Sequence, residues 1–320
     1  MKKLLSFTIL SIVLTSCENL QLVTTTPDTT TQTQTVSKEE PKPSSTSFDI
    51  QGHRGAMGLM PPNTIPSFLK GLELGVTTLE MDAAITKDNK VIISHDGFFL
   101  SDITTKPDKS KVNKQEEKSP SNNIYMMDYE EVKKYDVGSV GTPYFPEQRK
   151  FKVAPPLLSD VIDSSEAFSK KTNRSLPYYN IEIKSYKPFD NVFYPEVEKY
   201  TDLVMAVILS KNISSRVFIS SFDLRALKYM HQKYPEIKLG LYANLSDKLS
   251  FNERLNQLGF VPEFFGPNYQ AVDSQMITDC TAKGVKVVPY TVNEVADMKR
   301  LKALGVSGLI TDMPNRAKGL

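Results

Sequence analysis

Beyond residue 48 the chain alternates two hydrophobic rhythms. Short runs rich in β-branched and aromatic residues recur between stretches in which apolar positions repeat every three or four residues. The short runs predict strands at 48–52, 78–84, 91–94, 178–183, 217–220, 239–242, 264–269, 285–291 and 308–311. The helical rhythm predicts helices over 63–74, 157–171, 195–210, 224–234, 248–258, 273–283 and 295–304, with Gly75, Gly259, Gly284 and Gly305 where C-caps belong. A parallel crossover needs a dozen or more residues, and only about six lie between 84 and 91. Those two strands therefore form a hairpin that turns near Asp88 and Asn89 and returns His95 toward Glu80 and Asp82. Eight sequential strands remain, and eight strand–helix repeats close a (β/α)8 TIM barrel of the α/β class. The segment 97–155 is too long for a plain connection and predicts an inserted small subdomain, with its polar stretch 106–123 as a mobile surface loop.

The first residues follow neither rhythm. Lys2 and Lys3 precede an apolar run from Leu4 to Leu14, and then come Thr15, Ser16 and Cys17. The run is too short to span a bilayer stably, and small residues before a cysteine mark a processing site. It resembles a bacterial lipoprotein signal over 1–16, with lipidation at Cys17. From 18 to 47 the composition is Thr, Gln, Pro and Ser, with Leu20, Leu22, Val23 and Val36 the larger aliphatic residues. Such a stretch buries too little apolar surface to offset its ordering entropy, so 17–47 is expected to be a flexible tether and 48–320 the domain.

Charge then excludes one class of partner. Loss of Lys2 and Lys3 leaves 37 of the 39 basic residues against 37 acidic ones, whereas a nucleic-acid binder concentrates a basic excess on one face. No other apolar run approaches transmembrane length, so membrane contact is expected through the N-terminal lipid alone, in a bacterial cell envelope. With Cys17 acylated, Cys280 is the one remaining thiol, which leaves no disulfide and no cysteine metal site.

Four features fall at the C-terminal ends of predicted strands, where a barrel assembles its active site: His53-Arg54, Glu80-Met81-Asp82, His95-Asp96 and Glu182-Ile183-Lys184. Residues two apart on a strand share a face, so Glu80 points with Asp82 and Glu182 with Lys184. Three carboxylates aimed into one mouth repel one another unless a cation lies among them. Their all-oxygen ligation selects Ca²⁺, Mg²⁺ or Mn²⁺ over zinc. Arg54 and Lys184 restore a sign that suits an anionic phosphate. With His53 and His95 to take and return protons, the set suits cleavage of a phosphate ester. The third histidine, His231, lies within a helical pattern.

The ordered stretches Gly52-His53-Arg54-Gly55, Pro61-Pro62-Asn63-Thr64, Leu79-Glu80-Met81-Asp82, His95-Asp96, Asn180-Ile181-Glu182-Ile183-Lys184, Ser220-Ser221-Phe222-Asp223, Tyr290-Thr291-Val292-Asn293 and Thr311-Asp312-Met313-Pro314 resemble the glycerophosphodiester phosphodiesterase family. The resemblance covers nearly all of 50–316. It implies a (β/α)8 barrel with an insertion and hydrolysis of glycerophosphodiesters to glycerol 3-phosphate and an alcohol. It also implies His53 and His95 as the acid/base pair, one divalent cation on Glu80, Asp82 and Glu182, and substrate contacts from Arg54, Lys184, Phe222 and Tyr290. Two departures stand out. Pro62 occupies a position that is usually Glu, and Tyr290 one that is often Trp.

Two other readings compete: a phospholipase D-like enzyme acting on lysophospholipids, and a non-catalytic lipoprotein that binds phosphodiesters. The first calls for an apolar groove in 97–155. No apolar run there is long enough to line an acyl channel, and Phe98, Phe99, Tyr125 and Tyr144 are expected to wall a head-group pocket at most.

Overall fold

A computed structural model describes residues 48–320. The export signal, Cys17 and the tether lie outside the described residues. The nine expected strands form as β1 (Asp49–Gly52), β2 (Thr78–Ile85), β3 (Val91–Ile93), β4 (Tyr178–Ile183), β5 (Val217–Ser221), β6 (Lys238–Ala243), β7 (Phe264–Pro267), β8 (Lys286–Val287) and β9 (Gly308–Thr311). The parallel strands follow the order β8-β7-β6-β5-β4-β2-β1-β9, and β3 folds back antiparallel on β2, pairing Ala83 with Ile93. Backbone bonds from Ser307 N to Val287 O and from Ile310 N to Pro289 O, each 2.9 Å, bridge the seam between β8 and β9. The result is a nearly closed TIM barrel of eight parallel strands. β8 is shorter than its expected span because Pro289 has no N–H to continue the ladder.

Helices α1 (Ile65–Glu73), α2 (Tyr129–Val132), α3 (Leu158–Lys171), α4 (Val197–Ser210), α5 (Leu224–Lys233), α6 (Phe251–Leu258), α7 (Ser274–Ala282) and α8 (Val295–Leu304) fill the connections. The cap chemistry explains several ends. Thr64 accepts from Ser67 N at the start of α1, Ser250 and Glu253 form a capping box on α6, and Gly259 and Gly305 take the left-handed conformation after α6 and α8. Among the described residues no helix is long and apolar enough to cross a membrane.

Period-two alternation sorts the strand residues onto two surfaces. Leu79, Met81, Tyr179, Ile181, Val217, Ile219, Leu239 and Leu309 face outward and pack with Phe68, Leu72, Val161, Val204, Leu227 and Leu301 of the helices in one continuous core. Toward the axis, Tyr242, Phe264, Val288 and Ile310 form a separate apolar cluster. Beside it lies a polar layer in which the Asn180 amide donates to Gln51 Oε1 (2.7 Å) and Tyr242 OH (2.9 Å), and Ser220 Oγ donates to Asn180 Oδ1 (2.7 Å). Every member is paired, so this buried layer fixes strand register at little desolvation cost.

The segment 97–155 wraps α2 and three 3₁₀ turns around a small core of its own. Phe99, Val112, Ile124, Val132, Tyr135 and Val137 pack on Ala84 and Ile92 of the hairpin. The stretch 106–123 lies mostly at the surface, as expected, and is anchored by four buried residues, Val112, Glu117, Asn122 and Asn123. Its polar composition is answered locally. Glu117 accepts from Ser101 N (2.7 Å) and Oγ (2.6 Å), and the Asn122 amide donates to Glu116 O (2.7 Å).

The inner cluster leaves no room for a side chain on β6. A Cβ added at Gly240 would lie 2.1 Å from Cζ of the buried Phe264 ring. Gly240→Ala is expected to lower stability by about 1–3 kcal/mol through overpacking, and Phe264→Leu in the same chain to recover part of that loss. Thermal melts of the single and double variants check it, and strict additivity would show that the two positions do not touch.

Candidate active site

The parallel register of β2 and β4 sets Asp82 beside Glu182 and Glu80 beside Asn180. With side chains alternating, Glu80, Asp82 and Glu182 converge at the C-terminal mouth, where one oxygen from each lies within 4.8 Å of the others. All three are buried. Burial, with Asp82 and Glu182 close by, drives the Glu80 carboxyl well above its usual range. Burial likewise pushes Glu182 up to about 7, against the pull of Lys184. At Asp82 burial also favours the neutral acid, but Lys184, His95 and Arg54 outweigh it and hold the carboxyl well below the ordinary range. One atom stays unanswered: Asp82 Oδ1 is buried without a hydrogen-bond partner, although Lys184 Nζ lies 3.3 Å away.

Two cations flank the acids. Arg54 follows β1 in a left-handed conformation (φ 50°), which turns its backbone N–H onto Glu80 Oε2 at 2.9 Å and sets its Nε 3.4 Å from Asp82 Oδ2. The next residue must be glycine, because φ is 91° and a Cβ there would lie 2.5 Å from the carbonyl carbon of Ser67. Lys184, two residues past Glu182, bonds Glu182 Oε1 at 3.0 Å. Burial works against its charge, but Glu182 and Asp82 hold the ammonium above its ordinary value. Pro62 is buried and offers no acid. Its neighbour Asn63 donates to Asp82 Oδ2 at 2.8 Å.

Each histidine is backed by a carboxylate. His53, at the end of β1, places Nδ1 2.5 Å from Asp312 Oδ1, and Asn293 donates to the other oxygen of Asp312 at 2.7 Å. His95 returns from the hairpin because Ser94 N donates to Asp82 O (2.9 Å), and its Nδ1 lies 2.7 Å from Asp96 Oδ2. With Nδ1 on a carboxylate, each ring turns Nε2 to the mouth, where that of His53 accepts from Arg54 Nε at 3.3 Å. Burial lowers the His95 imidazole from its usual value, partly offset by Asp82. At Asp312 burial is outweighed by His53 and Asn293, and the carboxyl sits below its usual range.

One cavity of about 250 Å³ is lined by His53, Arg54, Glu80, His95, Glu182, Lys184, Phe222 and Tyr290. Phe222, Tyr242 and Tyr290 form an aromatic wall, with ring centroids 5.2–5.8 Å apart. All the candidate residues within the described part of the chain thus meet at one mouth. His231 lies elsewhere, stacked on Phe260 at 4.0 Å. The structure adds Asn63, Asp96, Asn293 and Asp312 to the site, as partners of Asp82, His95 and His53. A carboxylate or amide gains its meaning here only from the ring or acid it touches. The aromatic residues expected from the insertion are dispersed. Phe98 borders the site, Phe99 stacks on Tyr135 at 3.9 Å in the insertion's own core, Tyr125 packs on the main core and Tyr144 is 79% exposed.

The three carboxylates offer a hard, all-oxygen donor set, and Asp82 Oδ1 accepts no hydrogen bond, its cationic neighbour being Lys184 Nζ at 3.3 Å. The cluster therefore fits a divalent cation.

The profile of the glycerophosphoryl diester phosphodiesterase family matches residues 53–316. Among curated relatives, a glycerophosphodiester phosphodiesterase of Caldanaerobacter subterraneus is 29% identical over 83% of this chain and 94% of its own. One of Bacillus subtilis is 29% identical over 82% and 83%, and a Homo sapiens lysophospholipase D is 22% identical over 83% of each. A solved Oleispira antarctica phosphodiesterase, in complex with the product sn-glycerol-3-phosphate, superposes with a TM-score of 0.65 at 22% identity, covering 84% of this chain and 94% of that one. A Parabacteroides distasonis glycerophosphodiester phosphodiesterase gives 0.60 at 19%, covering 85% and 95%. Because the profile spans the barrel from His53 at the end of β1 to Arg316 after β9, the chain belongs to the glycerophosphoryl diester phosphodiesterase family.

Proposed function

We propose that the chain hydrolyses glycerophosphodiesters to glycerol 3-phosphate and an alcohol, using one divalent cation, Ca²⁺ or Mg²⁺ with Mn²⁺ as a third candidate, held by Glu80, Asp82 and Glu182. The observation that carries the reading is the buried carboxylate cluster with an unanswered oxygen on Asp82, faced by two imidazoles that each rest on a carboxylate. When bound, the cation would polarise the phosphoryl oxygens. Arg54 and Lys184 balance the phosphate charge, Arg54 through its forked donors and Lys184 as a point charge. One Nε2 takes the proton of the attacking water, and the other gives a proton to the leaving alkoxide oxygen. Asp312 and Asp96 stabilise whichever ring is protonated. The family assignment and the product named in the Oleispira complex support the same substrate class.

A second reading has support of its own. The human relative is named as a lysophospholipase D, and a largely aromatic cavity adjoins the site. That cavity measures about 230 Å³, below the roughly 300 Å³ at which drug-sized pockets begin. It suits a short alcohol better than a long acyl chain.

Lipidation at Cys17 is part of the proposal, on sequence grounds: the run Leu4 to Leu14 with Thr15 and Ser16, then a Thr- and Ser-rich tether. It would hold the domain at a membrane of the cell envelope.

Purified domain is expected to cleave glycerophosphocholine with higher kcat/KM than lysophosphatidylcholine and to lose activity reversibly in excess chelator. Preference for the lysolipid would favour the phospholipase reading, and chelator-resistant turnover would remove the cation. His53→Ala and His95→Ala are each expected to cost at least about a hundredfold in kcat, and Asp312→Asn, acting through His53, about tenfold or more. Near-normal rates in both histidine variants would refute the acid/base assignment. In cells, Cys17→Ser is expected to release the domain from the membrane fraction or leave an unprocessed precursor. Unchanged processing and attachment would rule out the lipid.

A further inference from the structure

The second cavity shares His95, Glu182, Lys184 and Phe222 with the catalytic mouth and runs from there beneath the insertion. A phosphodiester seated over the three acids has two arms, and two cavities meet at that point. The first is rimmed by polar groups, including His53, Arg54, Asn244 and Thr291, which suit glycerol hydroxyls. The second is walled by Phe98, Tyr186, Phe189, Phe193 and Tyr194. Its rings interlock: Phe98 and Phe193 lie 5.0 Å apart, Phe189 and Phe193 5.3 Å, and Tyr186 and Phe189 5.5 Å.

This wall is held from behind. Arg225 bonds Asp190 and Asp223, Ser185 Oγ donates to Asp223 Oδ2 at 2.8 Å, and Asn123 of the insertion donates to Val192 O at 2.7 Å. At the outer end sits Lys118, exposed, with Nζ 5.1 Å from the Phe189 centroid and 5.6 Å from that of Phe98. Lys184, at the inner end, lies 3.3 Å from Asp82 and 3.0 Å from Glu182 and belongs to the phosphate site. Asp96 lines the inner end, with its carboxylate on His95 Nδ1. Lys118 has no carboxylate within ion-pair distance among the described residues and so leaves an unpaired positive charge at the outer end of the aromatic pocket.

We infer that this second cavity receives the alcohol arm of the diester and that Lys118 makes it selective for an arm ending in a carboxylate or phosphate, against a quaternary ammonium. The inference rests on the phosphodiesterase reading. The argument from charge has two parts. An ammonium arm would meet Lys118 as a like charge, and Lys118 already sits over the Phe98 and Phe189 rings at the outer end, where such an arm would seek cation–π attraction. An anionic arm would gain a partner at a rim where the ion pair keeps one face in water.

The test compares kcat/KM for the glycerol phosphodiesters of 3-hydroxypropanoate, glycerol and choline, in wild type and in Lys118→Met and Lys118→Glu. Wild type is expected to prefer the anionic arm over choline. Lys118→Met should shrink that ratio, and Lys118→Glu should lower it by about tenfold or more, the scale of one reversed charge near a surface. Because Lys118 is exposed, raised ionic strength should narrow the wild-type ratio and leave that of Lys118→Met nearly flat. A ratio unmoved by charge reversal, with the diester of the uncharged glycerol arm still hydrolysed, overturns the Lys118 assignment alone. If wild type hydrolyses none of the three, the phosphodiesterase reading fails and the inference falls with it.

Discussion

Three carboxylates buried within 4.8 Å of one another are the constraint on which the rest of this barrel mouth depends. Like charges at that spacing in a poorly solvated site cannot all ionise without positive partners. The chain supplies Arg54 beside Asp82, Lys184 between Asp82 and Glu182, and the Arg54 backbone N–H on Glu80. These answer two of the three charges and leave Asp82 Oδ1 without a hydrogen bond. Burial and mutual repulsion raise Glu80 and Glu182, while Lys184, His95 and Arg54 hold Asp82 down.

That cluster exists because of strand register. The β2–β4 ladder sets Asp82 against Glu182, and the interior network of Gln51, Asn180, Ser220 and Tyr242 holds that register from below. Around it, loops at the strand ends contribute one device each. The β1 turn brings His53 and Arg54, the hairpin brings His95, and the β9 end brings Asp312 to support His53. The insertion and the connection after β4 add the aromatic cavity beside them. Chemistry at the centre is thus set by rigid strands, and the shape of what enters is set by loops.

Most of the architecture was legible because it depends on local rhythm. Nine short apolar runs became nine strands, and a gap too short for a crossover became the hairpin. Glu80 with Asp82 and Glu182 with Lys184 could be paired from alternation alone. The polar stretch 106–123 is mostly exposed, as its composition implies, but Glu117 and Asn122 anchor it through contacts that composition does not encode. Asp312 was invisible as a partner of His53 because the two lie at opposite ends of the domain sequence and meet only when β9 closes on β1. Tyr186, Phe189 and Phe193 carry no periodic signal in the sequence, since a 3₁₀ turn at Lys187–Phe189 has too few residues for one.

The central claim is that a divalent cation completes the carboxylate cluster, and thermal stability as a function of pH reads it directly. Glu182 is raised from 4.5 to about 7 in the folded chain, so the folded state binds more protons than the unfolded state between those values. Its contribution is present at low pH and is lost as pH rises through about 7. In chelator, the melting temperature of wild type relative to Glu182→Gln should therefore fall between about pH 5 and pH 7.5. Added Ca²⁺ or Mg²⁺ should raise the wild-type melting temperature, and raise it more at pH 7.5, where the ligands ionise, than at pH 5. A melting temperature that no divalent cation shifts at either pH would contradict the account.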